Sequence, residues 1–200
     1  MNHETEAGKG SIVTRRSFLR MGAIAAAQLA VPAVAMAGIR VMARRRVLSF
    51  HNLHTGENLS TTYWADGSYF PEELSRIDYI LRDFRANEIK PIDRNLLDLL
   101  VRLHQKLGTS QPFQIISGYR SPKTNAMLHA NSEGVAVHSL HIEGRAIDIC
   151  IEGRSLETLR AAALSLHSGG VGYYPKSDFV HVDTGRIRWW GGPPPATRII

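Results

Sequence analysis

The spacing of apolar residues predicts two amphipathic helices in the first half of the chain. One is expected to open at Pro71 and end before Pro91, and the other to be capped by Asp93 and stopped by Gly108. In both, an apolar residue recurs at every third or fourth position: Leu74, Ile77, Ile80, Leu81 and Phe84 in the first, and Leu96, Leu97, Leu100, Leu103 and Leu107 in the second. Both helices are therefore expected to form core scaffold.

Short runs rich in β-branched and aromatic residues predict strands around these helices. The predicted strands are residues 47–50 and 59–64, which form a hairpin across a turn at Gly56, and residues 113–116, 146–151, 171–174 and 179–183. Two shorter helices are expected to begin at Ser121-Pro122 and after Ser155. Because strands and helices mix without a regular β-α-β alternation, the predicted fold class is α+β, with a mainly antiparallel sheet and flanking helices.

Composition narrows the class of protein. A chain of 200 residues that is 44% hydrophobic and 21% charged is expected to form one globular domain, which excludes a disordered tail, a collagen-like fibre and a polytopic membrane protein. With one cysteine, Cys150, no intrachain disulfide is possible. The net charge is +6, and the one run of three basic residues is 44–46. This balance speaks against a nucleic-acid partner and favours an anionic polymer or a membrane surface.

The N-terminal segment differs from the rest of the chain. Arg15-Arg16 and Phe18-Leu19 precede residues 21–39, which contain no charged residue, and the small-residue ending Ala35-Met36-Ala37 stands before Gly38. This segment resembles a twin-arginine signal peptide. The resemblance implies export by the twin-arginine machinery to the periplasm, with cleavage after Ala37 and no stable membrane insertion afterwards. The alternative is an uncleaved anchor, because 19 uncharged residues approach the roughly 20 that span a bilayer.

These features divide the chain into four predicted parts. Residues 1–37 are the signal peptide, residues 38–46 a linker, residues 47–190 the folded domain, and residues 191–200 a tail that begins with two glycines and three prolines. Any chemistry is therefore expected between residues 47 and 190.

One motif stands out among the nine histidines of the sequence. His141 lies just before a predicted strand and Asp148 lies within it, with Gly144 allowing a sharp entry between them. A catalytic zinc site takes three ligands from His and carboxylate and leaves a fourth position for water, and His181 on a later strand is the strongest candidate for the third. Strand alternation sends Asp183 to the same face as His181, where it suits a supporting role: holding a ligand or a substrate amine.

The combined pattern resembles a known family. Ser-x-His-x-x-Gly-x-Ala-x-Asp, followed by Phe-Val-His-Val-Asp, is similar to the zinc peptidases of the D-alanyl-D-alanine carboxypeptidase and Hedgehog-type fold, most closely their murein endopeptidase K-like branch. The resemblance implies one zinc ion per chain, held by His141, Asp148 and His181. It also places Arg120, in Gly118-Tyr119-Arg120, at the substrate cleft, and matches Ser139 to the serine before the first ligand.

Other interpretations of these two residues remain open. Arg120 is either a substrate or oxyanion group, an ordinary surface residue, or the partner of a core carboxylate. Ser139 is equally well explained by a helix cap or a hydrogen bond within a loop.

The general base is the least constrained part of the predicted site. Asp178 precedes His181 by three residues, where several relatives place a carboxylate that takes a proton from the attacking water. Asp178 also follows Pro175-Lys176-Ser177, a turn in which aspartate is common for local reasons. Asp183 and His138 are the alternatives.

The resulting functional hypothesis is an exported zinc metallopeptidase that hydrolyses the peptide cross-links of peptidoglycan, its substrate and partner in the cell envelope. A D,D-carboxypeptidase that trims stem peptides, and a non-catalytic murein-binding module, are the alternatives. The sequence leaves open whether the link that is cut joins D-alanine to diaminopimelate or joins two diaminopimelate residues directly.

Overall fold

The computed structural model describes residues 45–131 and 135–193. The predicted signal peptide, most of the predicted linker and most of the predicted tail lie outside the described residues. None of the helices in the described part of the chain combines the length and the apolar character that a membrane span needs.

Eight strands, four α-helices and one short 3₁₀ helix make up the described part of the chain. In chain order they are β1 (Arg45–Asn52), β2 (Asn58–Ala65), β3 (Ser68–Tyr69), α1 (Pro71–Ile80), α2 (Arg94–Leu107), β4 (Phe113–Ser117), α3 (Pro122–Asn131), the 3₁₀ helix (Leu140–Glu143), β5 (Ala146–Ile151), α4 (Leu156–Ser165), β6 (Gly170–Tyr174), β7 (Phe179–Asp183) and β8 (Arg188–Trp190).

All eight strands belong to one sheet, in the order β3-β2-β1-β4-β5-β7-β6-β8. The pairs β1/β4 and β6/β8 are parallel, and the other five pairs are antiparallel. The predicted class, α+β with a mainly antiparallel sheet, is therefore confirmed for the described residues.

Strand alternation gives the sheet two different faces. One face is apolar and packs against the helices: α1 covers β2, α2 covers β1, and α4 covers β5, β6 and β7. The core on this face is built mainly from aliphatic and aromatic side chains with almost no exposure, including Leu48, Phe50, Tyr63, Leu96, Leu100, Phe113, Ile147, Ile149, Val180 and Val182. The opposite face of β5 and β7 carries the predicted metal ligands.

Two boundaries differ clearly from the sequence prediction, and two short strands, β3 and β8, are additions to it. Strand β1 begins at Arg45, inside the predicted linker, because Arg46 lies over the Trp64 ring and forms an ion pair with Asp98 at 2.7 Å. Helix α1 ends at Ile80, well before Pro91, because the Asp83 carboxylate accepts the backbone N–H groups of residues 85 and 86 and turns the chain. Strand β8 is an addition that no apolar run predicted.

The connection into β5 positions the candidate site. The Ser139 side chain caps the 3₁₀ helix, and Gly144 ends it with φ of +69°, in the left-handed region. A Cβ at Gly144 would lie 2.7 Å from the carbonyl oxygen of Pro91, so both the dihedral angle and the close approach require glycine. The predicted sharp entry at Gly144 is confirmed, and it places His141 beside the start of β5.

Candidate metal centre and its cleft

His141, Asp148 and His181 meet at one point on the polar face of the sheet. Asp148 on β5 is the cross-strand partner of His181 on β7, and the 3₁₀ helix brings His141 to both. His141 Nε2 lies 3.2 Å from both Asp148 Oδ1 and His181 Nδ1, and His181 Nδ1 lies 2.8 Å from Asp148 Oδ1. Three side chains that are 40 residues apart at the extremes thus aim one atom each at a shared position.

In each of the two histidines, the ring nitrogen that faces away from the triangle forms a hydrogen bond. His141 Nδ1 lies 2.7 Å from the carbonyl oxygen of Gly118 and donates to it, which leaves Nε2 to face the triangle. His181 Nε2 lies 3.0 Å from Asp183 Oδ2, which leaves Nδ1 facing the triangle. A metal-binding histidine typically donates its other N–H to a carbonyl or carboxylate in this way, so both rings are held in the orientation that a metal needs.

Asp183 is the anchor of this arrangement and is completely buried. Besides His181, its carboxylate accepts the backbone N–H groups of Gly170 and Gly185 and both terminal nitrogens of Arg188, at 2.7–3.0 Å. Burial alone would raise the pKa of Asp183, but these hydrogen bonds outweigh it and hold the pKa far below its usual range. Asp183 is therefore an anion that supports His181, which agrees with the supporting role expected from the sequence.

The protonation states of the triangle suit a metal. Burial lowers the pKa of His141, whereas Asp148 has its pKa held well below the usual range by contacts with His141 and His181 that outweigh its own burial. Burial also opposes the charged form of His181, but hydrogen bonds with Asp148 and Asp183 raise its pKa to about 9. One neutral imidazole and one carboxylate are thus in the form that binds a cation, and a cation at the triangle would replace the extra proton of His181.

The donor set fits a tetrahedral cation of the size of zinc. Bonds of about 2.0–2.1 Å separate neighbouring tetrahedral ligands by roughly 3.3 Å, close to the edges of the observed triangle. Within the described ranges, these three side chains form the one cluster of three or more His, Cys, Asp or Glu with such geometry. Two histidines and one carboxylate leave a fourth position, which faces the cleft.

Arg120 is buried beside the triangle. Its guanidinium contacts Asp148 Oδ2 at 3.5 Å, Asn125 Oδ1 at 3.2 Å and Ser117 Oγ at 3.3 Å. Burial lowers the pKa of Arg120, and the Asp148 carboxylate opposes that effect. Arg120 thus orients the carboxylate of Asp148, which matches the open alternative of a core-carboxylate partner, while it also lines the cleft.

The remaining predicted residues differ in position. Ser139 lines the cleft, and its Oγ accepts the backbone N–H of His141 at 3.3 Å, so the helix-cap interpretation is confirmed. His138 is exposed at the rim of the same cleft. Asp178 is exposed on the turn between β6 and β7 with φ of +55°, and it is outside the set of cleft-lining residues. Its role as the base stays a prediction.

Sequence reasoning missed one wall of the cleft. Tyr174, Phe179 and Trp190 form an aromatic wall, and Arg188 connects it to Asp183. A three-residue strand after a turn gives no periodic pattern, so β8 had no signal of its own. The two glycines of β6, at positions 170 and 172, were the available hint, because small residues on a strand mark the close approach of another group.

The chain is similar to one protein family and to several of its members. The family described as peptidoglycan L,D-endopeptidase MepK matches residues 25–190. The chain is 48% identical over 176 residues to the peptidoglycan L,D-endopeptidases MepK of Escherichia coli (strain K12) and of Shigella flexneri, which covers 88% of this chain and 96% of each relative. It is 40% identical over 179 residues to the probable peptidoglycan L,D-endopeptidase MepK of Haemophilus influenzae, which covers 89% of this chain and 96% of the relative. No solved structure matches the chain significantly. Since the family match spans most of the chain, this protein belongs to the peptidoglycan L,D-endopeptidase MepK family.

Proposed function

We propose that this chain is a zinc-dependent endopeptidase that hydrolyses peptide cross-links of peptidoglycan. The observation that supports it most is the triangle of His141, Asp148 and His181, with both histidines fixed from behind and one side open to the cleft. Structural zinc sites are usually closed by four protein ligands, whereas an open position is typical of catalytic sites. The Hedgehog and D-alanyl-D-alanine peptidase type of fold is part of the same proposal.

The names of the relatives favour one of the two links that the sequence left open. They are called L,D-endopeptidases. The direct link between two diaminopimelate residues joins an L centre to a D centre, whereas the link from D-alanine to diaminopimelate joins two D centres. We therefore propose the direct diaminopimelate link as the preferred substrate.

The chain's own residues have distinct tasks in this reaction. Zinc at the triangle would polarise the scissile carbonyl and acidify a water molecule. Asp178, on the turn between the cleft residues Ser177 and Phe179, is the proposed acceptor of the proton of the attacking water, which it would pass to the leaving amine. Arg120 holds the Asp148 carboxylate in place and presents positive charge to the cleft, and Ser139 fixes the turn that carries His141.

Digestion of purified cross-linked muropeptides tests the proposal. We expect monomers from dimers with the direct diaminopimelate link, abolished by a chelator and restored by zinc, with about one zinc ion per chain by metal analysis. Release of terminal D-alanine without dimer cleavage would instead show a carboxypeptidase. Binding of peptidoglycan without any cleavage would show a binding module.

Export is a separate part of the proposal, based on Arg15-Arg16 and on the small-residue ending at Ala37. We expect the mature chain to start near Gly38 and to be found in the periplasm. Replacing Arg15 and Arg16 by lysine should hold the precursor inside the cell, as followed by fractionation. Unchanged export of the double variant would contradict a twin-arginine signal.

A further inference from the structure

The Trp190 side chain packs against strand β6 at a glycine. Its indole covers Gly172, where a Cβ would lie 2.6 Å from the ring, and Gly172 is the cross-strand partner of His181. The rings of Trp190 and His181 have their centroids 5.2 Å apart. The glycine therefore lets the indole approach the metal-binding side of the sheet closely.

The Trp190 indole fixes the hydroxyl group of Tyr174. Trp190 Nε1 lies 2.8 Å from the Tyr174 oxygen. An indole N–H can only donate, so the Tyr174 oxygen accepts and its own proton remains available to another acceptor. The Tyr174 ring is stacked on Phe179, with centroids 4.5 Å apart, so the ring and the hydroxyl are both held in place.

No acceptor for that proton is found among residues 45–131 and 135–193. Tyr174 lines the same cleft as the three candidate metal ligands and Arg120. The guanidinium of Arg120 is largely committed to Asp148, Asn125 and Ser117, and its Nε is buried without a partner. The Tyr174 hydroxyl is thus a fixed donor with a free proton on the wall of the cleft.

From this arrangement we infer that the Tyr174 hydroxyl donates a hydrogen bond to the carbonyl oxygen of the scissile peptide bond and stabilises the negative charge that develops there. The inference rests on the proposed function. A hydroxyl that already accepts a hydrogen bond donates more strongly, and a donor held in place before the reaction costs no reorganisation during it. Trp190 is a positioning residue, because it acts through Tyr174.

The adjacent residue provides a matched control. Tyr173 points to the other face of β6, where its hydroxyl bonds to Glu157 on α4. Tyr174→Phe removes the cleft hydroxyl and keeps the stack on Phe179, whereas Tyr173→Phe removes a hydroxyl from the helix side. Both variants are made in the full chain and loaded with zinc.

We expect Tyr174→Phe to lower kcat for dimer cleavage by roughly 10²-fold, with little change in KM and with unchanged zinc content. Tyr173→Phe should keep the parental kcat. A dipeptide phosphinate, which mimics the tetrahedral geometry and charge of the addition step, should lose affinity for Tyr174→Phe by a similar factor in calorimetry. Trp190→Phe keeps a ring over Gly172 but lacks the N–H. It should therefore lower kcat and phosphinate affinity as Tyr174→Phe does, but by a smaller factor.

A parental kcat and parental phosphinate affinity in Tyr174→Phe would overturn the inference. A loss confined to KM would show a contact that is equal in the ground state and the transition state, and a loss of zinc content would show a structural contact, so either result would also overturn the inference. If the parental protein cuts no dimer, the proposed function fails, and the phosphinate affinities of the parental protein and Tyr174→Phe still decide the hydroxyl's role.

Discussion

Strands β5 and β7 each have an apolar face and a polar face, formed by alternating residues of the same strand. The two faces are stabilised in different ways. On β5, Ile147, Ile149 and Ile151 point to the helices, and Asp148 points to the cleft. On β7, Val180 and Val182 alternate with His181 and Asp183 in the same way. The apolar face gains from buried area, which is non-directional, whereas the polar face depends on individual atoms at hydrogen-bond distance.

Substitutions on the two faces are therefore expected to affect different properties of the protein. On the apolar face, many buried side chains together form the core. A truncation there lowers the free energy of unfolding by an amount that depends on the side-chain volume removed. On the polar face, the arrangement depends on a few specific hydrogen bonds and ion pairs, so a change there is expected to impair the site and to leave most of the packing intact. Substitutions on the two faces should therefore separate stability from activity.

The largest effect is expected for His181→Ala. Two protein ligands would remain, so zinc should fall from about one per chain to near zero and dimer cleavage should be lost. Metal analysis and a muropeptide digest measure both. The control is His51→Ala on β1, whose side chain bonds to Asn58 two strands away from β5. Full zinc occupancy and activity in His181→Ala would contradict the ligand set.

The next largest effect separates two carboxylates. Asp178→Asn should lower kcat by roughly 10²–10⁴-fold with zinc content intact, because it removes a base and keeps the side-chain size. Asp183→Asn should instead weaken zinc affinity by roughly 10–100-fold, because it withdraws the support of His181.

A matched control exists for the first of these variants. Asp66 is also an exposed aspartate with positive φ in a turn between strands, so Asp66→Asn should keep the parental rate. A parental rate in Asp178→Asn would transfer the role of the base to His138, Asp183 or a carboxylate of the substrate.

A core substitution on the apolar side should change stability instead. Leu100 on α2 has no exposed surface, and Leu100→Ala should lower the free energy of unfolding by about 2–5 kcal/mol in urea titrations. The parental rate of cleavage should persist at temperatures where the variant is folded. Leu53→Ala, at a site with 47% exposure, should change stability by less than about 0.5 kcal/mol. A loss of activity in folded Leu100→Ala would show that the two faces are coupled.

The smallest expected effect is a change in the pH dependence of stability, caused by a buried histidine on the apolar side of the sheet. His104 on α2 is buried against the ring of Phe113, its Nε2 has no partner in the described part of the chain, and burial lowers its pKa. The unfolded chain therefore binds a proton on His104 more readily, so its contribution to stability is full above about pH 6.5 and is lost as the pH falls below it. In His104→Leu, unfolding free energies should decline less between pH 7.5 and pH 5 than in the parental protein. A decline equal to that of the parental protein would contradict this.

The sequence predicted the elements that repeat a pattern and missed those that depend on single contacts. Helix α2 and strand β5 were located within a residue or so, because their apolar periods continue over their whole length. The end of α1 was misplaced because one carboxylate, that of Asp83, offered the backbone other partners. Apolar residues continue at helical spacing beyond Ile80, so the sequence pattern did not indicate where the helix ends.

The site divides in the same way. The triangle of His141, Asp148 and His181 was predicted because these residues lie in or beside predicted strands, and the structure brings all three together. The aromatic wall was not predicted as a unit, because Trp190 reaches the cleft only through the parallel pairing of β8 with β6. Pairing between strands so far from a local turn leaves no mark in either segment alone.

Asp183 joins the triangle of His141, Asp148 and His181 to the aromatic wall of the cleft. The same carboxylate receives a hydrogen bond from His181 and two from Arg188, whose guanidinium lies over the Trp190 ring. Because one buried carboxylate holds both groups, a displacement of Arg188 and β8 is expected to change the orientation of His181 as well.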